Sequence, residues 1–373
     1  MLEEWQNAET IVIKIGSSLL VDEEQNSFRT EWLLAFAEDI TNLHREGKKI
    51  VLVSSGAKAL GRQELGLEDA KLSLKEAQAA AAVGQISLSA AFKALFKSKP
   101  ITVAQILLTP DDTEDRRRFL NARDTIHTLL EAGAIPVVNE NDTIATNELR
   151  YGDNDRLSAR VAAMIEADIL MILSDIDGLY TAPPQDEARA QHIEIINEIT
   201  PEIEAMAGGT GSSVASGGMV TKIEAAKIAG ASGCQMIITS GKGANPITAF
   251  LNGGKASWFL SSADPVQARK SWIRGALDIK GTVTIDKGAV SALKAGKSLL
   301  PAGVTAISGT FNRGDIISVI TGTDDKIAVG LAAYNSEDAD KIIGKQSSEI
   351  EEILGFSGRS ELIHRDNMAL TNG

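Results

Sequence analysis

Apolar residues in the first 260 positions gather into short runs at 10–15, 49–53, 102–107, 134–138, 169–173 and 235–239. Most of these runs are apolar at both odd and even positions, the pattern of strands buried on both faces. Between them, longer segments repeat apolar residues at helical spacing, at 31–46, 74–96, 122–132, 157–166 and 219–230. Strands alternating with helices of this length predict an α/β fold, an open and mostly parallel sheet sandwiched by helices. The pattern changes between about 263 and 275, and short β-type runs separated by Gly-containing turns follow at 281–285, 303–307, 316–320 and 326–333. They predict a small β-rich domain of different architecture. The boundaries that follow are a first domain at 1–262, a second at 276–358 and a C-terminal tail at 359–373.

The polar residues that interrupt this pattern sit where the predicted strands end, which is where open α/β sheets bind ligands. The run 134–138 leads into Asn139-Glu140-Asn141-Asp142, and Gly152-Asp153-Asn154-Asp155 then opens a predicted helix. The first strand carries Lys14 among apolar residues and ends in Gly16-Ser17-Ser18. A lysine there is costly to bury unless it meets an anion, and a Gly-Ser turn exposes backbone N–H groups of the kind that cradle phosphate. Val53 leads in the same way into Ser54-Ser55-Gly56-Ala57, and Leu173 into Ser174-Asp175-Ile176-Asp177-Gly178. Ser216-Gly217-Gly218-Met219-Val220-Thr221-Lys222 offers glycines for close backbone approach and a lysine in the first turn of the next helix. A complete GxGxxG is absent, and Gly296-Lys297-Ser298 has Ser291 where a P-loop needs its first glycine. Residues 207–218, dense in Gly and Ser, are expected to close over a bound ligand, and the Pro-rich stretch 183–190 to form a surface loop.

Composition narrows the class of function. Among 373 residues the net charge is −13, which argues against a general role on nucleic acid or membrane surfaces. Cys234 is the only cysteine, so an internal disulfide is impossible and a reducing compartment fits. It reads as a small core hydrophobe. No apolar run approaches the ~18 residues of a membrane span, and no secretory pattern opens the chain, so a cytoplasmic soluble protein is expected. The four histidines are scattered without metal-ligand spacing, and Arg116-Arg117-Arg118, preceded by acidic residues, reads as a mixed-charge surface.

Taken in order, Lys14–Ser18, Ser54–Ala57, 119–125, Asn139–Asp142, 152–159, Ser174–Tyr180 and Gly217–Lys222 resemble the amino-acid kinase family. The resemblance is strongest to the branch that phosphorylates the γ-carboxylate of L-glutamate with ATP, the first step of proline biosynthesis. The β-rich C-terminal domain resembles the PUA domain that follows the kinase domain in that branch. The resemblance implies that Lys14 and Lys222 flank the transferring phosphoryl group and that Asp155 orients them. It implies that Ser55, Asp142 and Asn154 hold glutamate. Lys14, Ser174, Asp175, Ser216, Gly217, Gly218, Met219, Val220, Thr221 and Lys222 would hold ATP, with Mg²⁺ bound by residues the sequence leaves unassigned. The family usually carries Thr where this chain has Ser174, and Gly-Thr-Gly-Gly where it has Ala215-Ser216-Gly217-Gly218.

A homo-oligomer, feedback inhibition by proline and a partnership with glutamyl phosphate reductase are implied in the same way. PUA domains elsewhere bind RNA, but residues 276–373 hold ten Lys/Arg against thirteen Asp/Glu, a net charge of −3 poorly suited to phosphate backbones. Other readings stay open at this point: a kinase of the same family acting on carbamate, aspartate, N-acetylglutamate or UMP, or an RNA-associated regulator on a kinase-like fold.

Overall fold

The computed structural model describes residues 2–22, 27–67, 72–144, 154–182, 190–208, 218–261, 279–356 and 358–371. Contacts divide it into two compact units, Met1–Pro265 and Val266–Gly373. Gly152 and Asp153, the surface loop expected at 183–190 apart from its last residue, and most of the closing loop at 207–218 lie outside the described residues. So do Ser216 and Gly217.

The first unit is built on β1 (Thr10–Ile15), β2 (Lys49–Val53), β3 (Val103–Leu108), β4 (Ile135–Glu140), β5 (Ile169–Ser174), β6 (Ile195–Ile196), β7 (Gln235–Ser240) and β8 (Ala256–Phe259). Their order across the sheet is β6-β8-β7-β5-β1-β2-β4-β3, and every neighbouring pair is parallel except β7 with β8. Six helices matter for the site: α1 (Thr30–Arg45), α2 (Ala57–Glu64), α3 (Leu74–Leu95), α4 (Arg116–Glu131), α5 (Asn154–Met164) and α6 (Met219–Ala231). Successive side chains of a strand face opposite ways, so odd and even positions feed separate cores. Ile11, Ile13 and Ile15 pack with Phe36 of α1 and Phe92 of α3. Val12, Leu170 and Ile172 pack on the other face with Ile126 of α4, Leu157 of α5 and Ile223 of α6.

Strands and long helices fall close to their expected positions, with instructive exceptions. Helix α4 starts at Arg116 rather than near 122, because Asp115 caps it by accepting from Arg118 N at 2.9 Å. The mixed-charge run therefore opens the helix, with Arg118 also 3.4 Å from Asp112. Helix α2 escapes the sequence pattern because it is short and buries only Ala57, Leu60 and Gly61.

Helix α2 is held against α3 by an approach that only glycine allows. A Cβ on Gly61 would stand 1.8 Å from the carbonyl oxygen of Ala80, and one on Gly84 would stand 1.8 Å from that of Ala57. Both obstacles are backbone, so the helices must separate to admit a methyl group. Gly84→Ala is accordingly expected to cost about 1–3 kcal/mol, seen as a lower urea midpoint. An unchanged midpoint would show that the pair separates at little cost.

The second unit carries its own sheet and core. Strands β9 (Gly281–Ile285), β10 (Val304–Gly309), β11 (Ile316–Thr321), β12 (Lys326–Leu331) and β13 (Met368–Leu370) lie in the order β10-β9-β11-β12-β13. Only β9 with β11 is parallel. Val283, Phe311, Ile317 and Val319 form the centre of the core. Residues 359–373, set apart by sequence as a tail, supply strand β13 and the buried Ile363. A three-residue strand behind a charged turn is too short to show a β pattern.

Candidate active site

Chain order divides at β1: β2 to β4 lie on one side of it and β5 to β8 on the other. Loops diverging at such a point open a crevice at the carboxyl ends of the strands. A cavity of about 390 Å³ lies there. β1 and the turn after it contribute Lys14, Gly16, Ser17 and Ser18; the segment after β2 contributes Ser55 through Ala59. Asn139, Glu140 and Asp142 enter from the end of β4, Ser174 and Asp175 from β5, Asn154 from α5 and Lys222 from α6.

The floor of this cavity is an ion cluster. Asp155, 0% exposed at the start of α5, takes Lys14 Nζ at 2.6 Å on Oδ1 and Lys222 Nζ at 3.0 Å on Oδ2. Thr221 Oγ1 donates to the same Oδ2 at 3.2 Å. Lys14 belongs to an interior strand, with Val53 and Ile172 as its cross-strand partners, so it cannot reach solvent past a sheet edge. Both lysines are nearly buried, at 7% and 3% exposure. Burial by itself pushes the Asp155 carboxyl up; the Lys14 ammonium, and after it Lys222, overcome this and hold it below the ordinary aspartate range. In this cluster two poorly hydrated cations share one carboxylate. That suits a polyanion.

The cavity also meets a network of carboxamides. Asn154 Nδ2 donates to the Ser54 carbonyl and to Asn139 Oδ1, the latter at 2.9 Å. Asn139 Nδ2 in turn donates to Gln85 Oε1 of α3 at 2.8 Å. With both amide hydrogens engaged, Asn154 keeps its carbonyl oxygen for a ligand. Ser55 Oγ donates to the Ile15 carbonyl at 3.0 Å, which ties the β2 loop to the end of β1. Gly56 makes the turn into α2 at φ 96, a left-handed conformation that favours glycine, and no side chain caps the helix it opens. Asp142 meets Lys58 Nζ at 2.7 Å.

Lys14, Ser55, Asp142, Asn154, Ser174, Asp175 and Lys222 therefore line one cavity, with Asp155 buried behind them. Ser174 Oγ donates to Asp175 Oδ1 at 3.1 Å. Gly218 is the N-cap of α6, and Met219, Val220 and Thr221 form its first turn; none of these four lines the cavity itself. Sequence reasoning did not single out Lys58 and Gln85. Lys58 directly follows the recognised Ser-Ser-Gly-Ala run, whereas Gln85 sits in an alanine-rich helix with nothing local to mark it.

Outside the cavity, Cys234 is 1% exposed in the core, where burial pushes its thiol far up. Among the described residues, no group of three His, Cys, Asp or Glu side chains could hold a metal ion. No described helix is long and apolar enough to cross a membrane.

Comparison with known proteins agrees with this architecture. Residues 9–240 match the Amino acid kinase family and residues 281–354 match the PUA domain. The chain belongs to the amino acid kinase family. Its full-length relatives carry a more particular name. It is 55% identical to the glutamate 5-kinase of Rhodopseudomonas palustris strain BisA53, over 99% of this chain and 98% of that one. It is 56% identical to the glutamate 5-kinase of Agrobacterium fabrum, over 97% and 92% of the two chains. The solved UMP kinase of Ureaplasma parvum aligns over 69% of this chain and 100% of its own, at 15% identity and a TM-score of 0.49.

Proposed function

We propose that this chain transfers the γ-phosphoryl group of ATP to the γ-carboxylate of L-glutamate, giving γ-glutamyl phosphate, the first step of proline biosynthesis. The observation that carries the reading is the Lys14–Asp155–Lys222 cluster on the floor of a cavity also lined by carboxamides and Asp142. Near-complete alignment at 55% identity with a glutamate 5-kinase supports the choice of acceptor.

The chemistry asks little of the protein beyond placement and charge. A γ-carboxylate is already an anion at neutral pH and needs no general base, which fits a cavity lined without histidine or cysteine. In-line transfer needs both substrates aligned and the negative charge on the phosphoryl oxygens met by cations. Lys14 and Lys222 are those cations, and Asp155 fixes their direction as a positioning residue. Asp142 and the Asn154 carbonyl oxygen receive the α-ammonium of glutamate, while Ser55 and the open end of α2 face its carboxylate end. Ser174, Asp175 and the segment Ser216 to Lys222 hold the nucleotide. Mg²⁺ would enter with ATP and supply further positive charge to the phosphate oxygens.

Three further features of the proposal rest on the family resemblance of the sequence alone: a homo-oligomeric state, inhibition by proline competing near the glutamate site, and delivery of the labile product to glutamyl phosphate reductase. A cytoplasmic location fits the lone buried Cys234.

Trapping the acyl phosphate with hydroxylamine tests the reaction directly. Formation of γ-glutamyl hydroxamate should require ATP, Mg²⁺ and glutamate together, and ADP release, which also reads acceptors that give no hydroxamate, should show aspartate, carbamate, N-acetylglutamate and UMP unable to replace glutamate. Turnover of one of those acceptors in preference to glutamate would overturn the assignment.

A further inference from the structure

Lys58 is the second residue of α2, and its ammonium sits 2.7 Å from Asp142 Oδ1 on the cavity wall. Its side chain is 38% exposed and that of Asp142 13%, so water reaches the lysine end of the pair and reduces what the pair contributes to stability. The surroundings suggest a use. Ala57, Lys58 and Ala59 all line the cavity, and they form the first turn of a helix whose N-terminus no side chain caps. The positive end of that helix and the Lys58 ammonium thus lie on the same stretch of wall. Asp142 and the Asn154 carbonyl oxygen, both acceptors, line the same cavity.

An α-amino acid carries an ammonium and a carboxylate on one carbon. A site for it must offer an acceptor and a donor of opposite charge side by side. The Lys58–Asp142 pair has that form before any ligand arrives. Entry of a zwitterion would exchange one ion pair for two, ammonium on Asp142 and carboxylate on Lys58, without leaving either protein charge alone.

We propose that Lys58 is a specificity-determining residue that binds the α-carboxylate of the amino-acid substrate while Asp142 binds its α-ammonium. This rests on reading the cavity as a glutamate site. It assigns Lys58 to recognition of the non-reacting end of the substrate. A rival role for the same contact has the opposite sign: a lysine that merely occupies Asp142 competes with the substrate ammonium and weakens binding.

The experiment compares the native chain with Lys58→Met and Lys58→Arg in the hydroxamate assay. Two acceptors are used: L-glutamate and its α-amide, L-isoglutamine, which keeps the γ-carboxylate and the α-ammonium but has no α-carboxylate. Loss of one charge-assisted hydrogen bond should raise the glutamate KM of Lys58→Met by about 10- to 100-fold. The KM for ATP should stay as it is in the native chain. With isoglutamine, kcat/KM of Lys58→Met should not fall below that of the native chain, because there is no carboxylate contact to lose and no lysine left on Asp142. Lys58→Arg should recover most of the glutamate affinity. Equal losses with both acceptors would reduce Lys58 to a support for Asp142 and overturn the proposal. So would a lower glutamate KM in Lys58→Met, which would mark the lysine as a competitor. A native chain that fails to turn over glutamate at all brings down the functional reading first, and this proposal with it.

Discussion

Lys222→Met lowers kcat for acyl-phosphate formation by about 10²-fold or more while the chain stays folded. Lys222 sits in the first turn of α6, 3% exposed, with its ammonium 3.0 Å from Asp155 Oδ2. A cation so poorly hydrated acts at a low effective dielectric, and phosphoryl transfer spreads charge over oxygens that only such groups can meet. Methionine keeps the length and bulk of the side chain and removes the charge. Asp155 still has Lys14 at 2.6 Å, so the substitution leaves that carboxylate paired, and the cluster loses one of its two lysine cations. For that reason the loss should fall on turnover far more than on stability. The check pairs kcat at saturating ATP and glutamate with a thermal midpoint measured without ligands. A kcat within about tenfold of native, with the fold intact, would remove Lys222 from the chemistry.

The reasons this site was partly visible in the sequence are physical. Lys14 stood out because a charge inside a β run is costly, and the structure places it on an interior strand where that cost is real. Ser55, Asp142, Ser174 and Asp175 were visible as polar breaks at strand ends, because the α/β fold brings the carboxyl ends of parallel strands to one edge, and Asn154 as part of the polar run that opens α5. What no local pattern could show is pairing. Asp155 lies 67 residues from Lys222, and their contact depends on α5 and α6 packing side by side over the sheet face that carries Val12 and Leu170. Gln85 reaches Asn139 across 54 residues from the middle of an alanine-rich helix. Lys58 escaped for a different reason: its partner Asp142 was recognised for substrate binding, and nothing in either run says that the two charges meet. Strand β8 was missed because its four residues pair antiparallel to the neighbouring β7, outside the βαβ rhythm that marked the other strands.

Asp155→Asn should have the largest effect on the fold of any single change in the site. Asparagine fills nearly the same space but removes the carboxylate that both lysines meet. Lys14 and Lys222, 7% and 3% exposed, are then left as neighbouring cations with little water to screen them. Breaking a buried ion cluster by deleting one partner costs about 3–5 kcal/mol. The phosphates of ATP bring anions back to the same lysines, so saturating ATP should raise the Tm of the variant more than that of the native chain. Turnover should fall as well, because lysines no longer held by a carboxylate lose the alignment that transfer requires. Acid separates the two chains further. The Asp155 carboxyl titrates lower in the folded chain than unfolded, so the folded state binds fewer protons. Its contribution is complete above about pH 4 and is lost as pH falls toward the depressed folded value. Urea midpoints followed below pH 5 should therefore drop more steeply for the native chain than for Asp155→Asn. Equal slopes, together with an equal shift on adding ATP, would mean that the carboxylate does not hold the two lysines in solution.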